Sequence, residues 1–253
     1  MTLAPRLRAF LVHLLMSAFV ALAVFLAIYF LWYPHVLFQG AGGRDLFVLI
    51  ACVDVTVGPL ITLVIYKPGK WGLKFDLVCI AVVQLAALVY GVSVMFEARP
   101  VYIAFVVDRF ALVRANGFPD GALEAGHAGG YDSLSWTGPR FVGVELPTNP
   151  DEQFKLGMSG AAGVDAEYYP RYYVPYDAVR GAVRARAQPV ATLRKRNPQR
   201  SKDIDEAVAN THRGEDAIAF IPMRAGKKDL TVFVDRATGD VLEITSLMPW
   251  DET

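Results

Sequence analysis

Reactive side chains are scarce in this 253-residue sequence, which holds two cysteines and four histidines. His13, His35, His127 and His212 are scattered, and none stands at ligand spacing from a cysteine or another histidine. A zinc site is therefore not expected. Cys52 and Cys79 both fall inside hydrophobic runs, and no cysteine follows residue 97, so the later part of the chain holds no disulfide. Charge is scarce as well, at 20% of residues against about 25% in soluble domains. The shortage is local. Through Glu97 there are six Lys/Arg and four Asp/Glu; from Ala98 onward there are 19 and 21. A purely soluble enzyme and a disordered chain are both excluded by this division. The net charge of zero averages two unlike parts, so it argues neither for nor against nucleic acid.

Catalytic signatures are missing too. There is no Walker pattern, no G-x-G-x-x-G opening a helix, no H-E-x-x-H and no G-x-S-x-G elbow. No catalytic residue, metal or cofactor is expected. Asp132, Glu145 and His127 are the nearest thing to an unrecognised active site, and nothing in the sequence aligns them.

What is present comes first in the chain. Residues 9–32, 46–66 and 76–96 are three runs with almost no charge, each near the roughly 20 residues a bilayer-crossing helix needs. The first is too long for a secretory signal core and ends in Tyr29, Phe30, Trp32 and Tyr33, so it reads as an uncleaved anchor. Arg6 and Arg8 precede it, Lys67, Lys70 and Lys74 follow the second run, and Arg44 alone lies between the first two. Positive charge stays inside, which places the N-terminus and the lysine loop in the cytoplasm and residues 98–253 outside. In a Gram-negative bacterium that is the inner membrane with a periplasmic domain. The expected domains are 1–97 and 98–253.

Asp54 is the most unusual residue of the runs, because a charge at mid-membrane costs at least about 2.5–3.5 kcal/mol. An aspartyl dyad with Asp76 is excluded by depth, since the two differ by roughly 15–20 Å along their helices. Asp54 is expected either to be neutral or to face a polar partner inside a helix bundle, for which Gln84 and Ser17 are the candidates. Gly58-Pro59, one turn on, loosens the helix beside it. The cluster serves either as glue among three helices or as a docking point for another transmembrane helix.

The outer part reads as α+β. Strands are expected over 101–107 and 110–114, helices over 177–187 and 202–210 with Ser201 as cap, and an antiparallel meander over 217–223, 230–235 and 241–247. Residues 116–175 read as turns and irregular pieces. Their tyrosines Tyr168, Tyr169, Tyr172 and Tyr173, with Tyr176, are a candidate partner surface, since tyrosine is enriched at interfaces; they equally suit the domain's own core. The arginine-rich stretch 180–202 is followed at once by acids, so it reads as a solvated face rather than a nucleic-acid site.

FLVHLLMSAFVAL (10–22), WYP (32–34), GGRDLFVLIACVDVTVGPLITLVIYKPGK (42–70), LKFDL (73–77), Gln84, Tyr90-Gly91 and ARPVYIAFVVDRF (98–110) together resemble the type IV pilin accessory proteins of the TfpX/TfpZ family. The resemblance covers the first 110 residues densely and makes Arg99, Pro100, Asp108 and Arg109 family-motif residues. It implies a non-enzymatic inner-membrane protein that assists assembly or stability of a cognate type IV pilin subunit, its partner beside the lipid bilayer. The competing expectation is an envelope sensor whose outer domain binds a small ligand.

Overall fold

The computed structural model describes residues 3–251. Its long helices begin in polar turns and then become uniformly apolar. The first runs from Leu3 to Trp32, as α1 (Leu3–Ala27) followed by a wide π-helical turn over Ile28–Trp32. After the one-turn α2 (Leu37–Gly40), the second is built of α3 (Gly43–Cys52), a π-helical turn (Val53–Val57) and α4 (Gly58–Ile65). The third is α5 (Leu73–Glu97). At 1.5 Å per residue they measure about 45, 35 and 37 Å, each longer than a hydrocarbon core of about 30 Å.

All three begin earlier than the apolar runs; the second and third do so where Gly42 and Gly72 adopt left-handed backbone (φ 80° and 84°) and start the helix on the polar side of the run. α1 packs along α4, and both α3 and α4 pack along α5. Most of the remaining surface is bare hydrocarbon, including Leu15, Phe19, Val64, Phe75 and Val83. Water does not tolerate such a surface. By length and composition the three helices suit a membrane.

Residues 98–251 fold around one eight-stranded sheet. Its strands are β1 (Pro100–Val106), β2 (Arg109–Arg114), β3 (Arg140–Val144), β4 (Tyr173–Pro175), β5 (Gln188–Pro189), β6 (Ile218–Arg224), β7 (Leu230–Asp235) and β8 (Val241–Thr245). The order is β4-β3-β1-β2-β6-β7-β8, with β5 added on β6. The expected meander exists as β6-β7-β8, all antiparallel. It is one end of a mixed sheet, however, not a sheet of its own. β1 pairs parallel with β3, and β2 parallel with β6, because long connections return the chain to the starting edge before each of those strands. An apolar strand pattern does not reveal its partner.

Both faces are covered, so β1, β6 and β7 are buried almost throughout. α7 (Tyr176–Arg186) lies on one face; α8 (Val190–Arg196) and α9 (Ser201–Asn210) lie on the other, against β6 and β7. Ser201 is the first residue of α9 rather than its cap, and its hydroxyl accepts from Arg194 Nη1 at 3.4 Å. The stretch read as irregular contains β3 and a further helix, α6 (Pro150–Ala161). Asn149 caps α6 by accepting from the amides of Asp151 and Glu152.

The main core crosses the composition boundary at Glu97. Ile28, Tyr33, Leu37, Phe38, Ala41 and Met95 pack in one cluster with Ile103, Phe105, Phe110, Ile221, Leu230 and Val232. The link between the first two long helices is thus a structural part of the sheet domain. Gly40 lies so close to β7 that a Cβ there would sit 2.7 Å from Leu230 Cδ1.

Candidate functional site

Asp54 falls in the π-helical turn of the second long helix and is 8% exposed. The wide turn and Pro59, which has no N–H to give, interrupt the regular ladder here. Gln84 on α5 fills the gap. Its Nε2 donates to the main-chain carbonyl of Asp54 at 3.0 Å and lies 3.3 Å from the Asp54 carboxylate. Gly58 makes room for this side chain, since a Cβ would stand 2.0 Å from Gln84 Nε2. The Thr56 hydroxyl turns back to donate to the Cys52 carbonyl.

Asp54, Gln84, Gly58 and Pro59 therefore stand together in the structure. Ser17 is buried on α1 but makes no side-chain hydrogen bond to them among the described residues. The polar contact from α1 is instead His13 Nδ1, 2.6 Å from Thr62 Oγ1. Thr62 is about 12 Å further along the second helix than Asp54. That pair was missed; the one ionisable residue inside the first run was its signal.

Two apolar clefts lie between the second and third long helices and share Val53, Asp54 and Ala87 as their divide, where Val53 and Ala87 are exposed and the Asp54 side chain is buried beside them. One, of about 240 Å³, is lined by Leu46, Leu49, Ile50 and Ala87; the other, of about 250 Å³, by Val57, Ile61, Ile80 and Val83. Gly91 allows Ile50 to approach α5 closely, at 2.7 Å from the place of a Cβ. Such a surface offers shape to an apolar helix and one polar handle at mid-length.

The four family-motif residues are separated. Arg99 and Pro100 stand at the junction of α5 with the sheet. Arg99 is buried, donates through Nη1 to the Phe96 carbonyl (2.8 Å) and through Nε to the Ser135 carbonyl (3.0 Å), and lies 3.8 Å over the Phe96 ring. Asp108 and Arg109 pair with each other at 3.2 Å at the far end of the β1–β2 hairpin, about 20 Å away at strand rise.

The tyrosine run mostly serves the domain's own packing. Tyr173 is buried, and its hydroxyl donates to the Glu167 carbonyl. Tyr176 stacks on Phe110 and donates to the Gly239 carbonyl at 2.6 Å. Tyr168 packs edge-on to Phe118. Burial pushes the hydroxyls of Tyr173 and Tyr176 above their ordinary range. Tyr169 and Tyr172 remain half-buried, flanking the exposed Arg171 guanidinium at 5.5 and 4.7 Å.

The arginine-rich stretch is an ion-pair face. Arg180 pairs with Asp177 and Asp240, Arg194 with Asp205 and Glu215, Arg196 with Asp251, and Arg200 with Asp203. His127 and Asp132 meet at 2.5 Å on an exposed loop. No group of three or more metal-ligating side chains occurs among the described residues.

No family model matches the chain, and no solved structure matches it. Curated relatives do. Two fimbrial assembly proteins of Dichelobacter nodosus, of serogroups E1 and I, are each 29% identical over 222 residues, covering 84% of this chain and 83% of theirs. A third, of serogroups C1 and C2, is 36% identical over 105 residues, covering 79% of its length and 40% of this chain. The chain belongs to the fimbrial assembly protein family. The two longer matches, at 84% of the chain, include residues of both parts.

Proposed function

We propose that this protein is a non-enzymatic accessory factor of the TfpX/TfpZ type, which assists assembly or stability of one cognate type IV pilin. It sits in the bacterial inner membrane with its N-terminus in the cytoplasm and its sheet domain in the periplasm. The observation that carries the reading is Asp54, held by Gln84 at the divide that two apolar clefts share between the second and third long helices. A pilin subunit presents an apolar N-terminal helix in the membrane and a head outside. The clefts take the helix, and the sheet domain meets the head through surfaces such as Tyr169, Arg171 and Tyr172. The relatives' names as fimbrial assembly proteins support the same process.

Mild detergent extraction of the full chain from pilin-expressing cells, followed by affinity purification, tests this. The expected co-purifying species is the pilin, and its recovery falls with Asp54→Leu. Recovery of a sensor kinase or transporter without pilin favours the envelope-sensor alternative.

A further inference from the structure

Trp136 is 76% exposed, yet the loop that carries it is fastened on both sides. Arg99 Nε holds the Ser135 carbonyl at 3.0 Å, and the Gly138 amide donates to the Leu31 carbonyl at 2.6 Å. The indole lies 5.2 Å from the Phe96 ring, which lies 5.0 Å from Trp32. Trp136 thus stands level with the last turns of the first and third long helices. These helices outlast a hydrocarbon core of about 30 Å, so their ends reach the headgroup layer. Tryptophan is enriched at that depth, where its ring meets acyl chains and its N–H meets water.

The start of the second long helix has a cationic counterpart. The Gly40 carbonyl accepts from the amides of Lys227 and Lys228 at 2.9 and 3.3 Å, which pins the β6–β7 turn beside the helix entrance. Lys227 Nζ pairs with Asp45 in the first turn of α3 at 3.0 Å, and Lys228 is exposed. An aromatic ring and two lysines therefore flank the long helices at the ends nearest the sheet domain.

We propose that the sheet domain rests on the bilayer surface, with Trp136 inserted in the interfacial layer and Lys227 and Lys228 facing phospholipid headgroups. The occupant of this surface is lipid, because it is continuous with the apolar flanks of the helices. The inference rests on the membrane placement above.

The test uses the full chain with only Trp136 retained (Trp32→Phe, Trp71→Phe and Trp250→Phe), reconstituted in vesicles of phosphatidylcholine and phosphatidylglycerol. Lipids brominated near the top of the acyl chain should remove most of the Trp136 emission, and iodide should quench it far less than free tryptophan. Iodide quenching equal to that of free tryptophan, with no loss to brominated lipid, overturns the proposal. So does protection from iodide that appears only when pilin is co-reconstituted, which assigns the ring to a protein partner. A chain retaining only Trp32 separates the two levels: if brominated lipid quenches Trp32 but not Trp136, the helices span and only the surface contact fails. If the triple replacement does not fold, the difference in emission between the native chain and Trp136→Phe gives the same reading.

Discussion

The hydroxyl of Tyr33, just past the first long helix, donates to the main-chain carbonyl of Met95 near the end of the third, at 2.9 Å. Both residues are fully buried. α5 ends in a tightened turn, with the Arg99 amide taken by Phe96, so the Met95 carbonyl has lost the partner four residues on that a regular helix supplies. Tyr33 replaces it, while Arg99 Nη1 adds a second donor on the Phe96 carbonyl. The end of the third helix is therefore closed by a residue 62 positions earlier, and the core shared by helices and sheet hangs on that closure.

Tyr33→Phe removes one hydrogen from this arrangement and leaves a buried acceptor unpaired. The expected loss is about 1–3 kcal/mol, read as a lower unfolding midpoint of the detergent-solubilised chain. An unchanged midpoint would show that the Met95 carbonyl has another partner.

The same pair has a pH signature. Burial pushes the Tyr33 hydroxyl up from 10.0 to about 12. A group whose folded pKa is raised contributes stability that is complete below its unfolded value and is lost as pH rises through its folded one. Stability should therefore fall between pH 10 and about 12, and Tyr33→Phe should lessen that fall. Melts across this range compare the two proteins, and equal slopes would exclude Tyr33 from the titration.

How far the sequence revealed this arrangement varied with the range of the interactions. Three long apolar helices were plain because each is a continuous run with its own start and stop. Asp54, Gln84 and Gly58 were legible as a group because a mid-membrane carboxylate demands a partner at its own depth. The helix over Pro150–Ala161 was missed although Asn149, Pro150, Asp151 and Glu152 form a capped start; the glycine- and proline-rich surroundings masked it. Packing of residues 33–41 into the sheet was not legible at all. Leu37 and Phe38 stand in a short link between two apolar runs, and nothing there announces the β6–β7 turn packed nearby, a contact that spans almost two hundred residues. The parallel pairings of β1 with β3 and β2 with β6 were hidden for the same reason.

Asp54→Leu should abolish or sharply reduce pilus assembly while the protein stays abundant, because the divide between the clefts loses its one carboxylate. Gly58→Leu should act similarly by driving Gln84 away from Asp54. Pilus counts by electron microscopy and immunoblots of membranes measure both. Normal piliation in Asp54→Leu rejects docking at this site, and a loss of abundance matched by an equal loss of pili reduces Asp54 to internal glue.

The proposed direction of insertion rests on Arg6, Arg8, Lys67, Lys70 and Lys74, which precede the first long helix or join the second to the third. A reporter active only in the periplasm should be silent when fused at Lys70 and active when fused near Asn116. An active fusion at Lys70 or a silent one near Asn116 reverses the orientation.

Choice of pilin should follow the sheet domain, because discrimination between partners needs differential contacts and the helices offer mostly uniform apolar surface. An exchange of residues 98–253 between two relatives that serve different pilins addresses this. The shared core makes that exchange incomplete, since Leu37, Phe38 and Ala41 pack against β6 and β7 and the Gly40 carbonyl holds the turn between them. Residues 33–43 must travel with the domain, or each chimera joins a loop to a core shaped for another. The expected result is that chimeras carrying both segments switch pilin preference in both directions, whereas chimeras carrying 98–253 alone are less abundant and less stable. Pilus assembly in cells expressing either pilin, with immunoblots for abundance, reads both effects. If stable chimeras keep the preference set by the three helices, recognition lies at the Asp54 clefts and the sheet domain has another task.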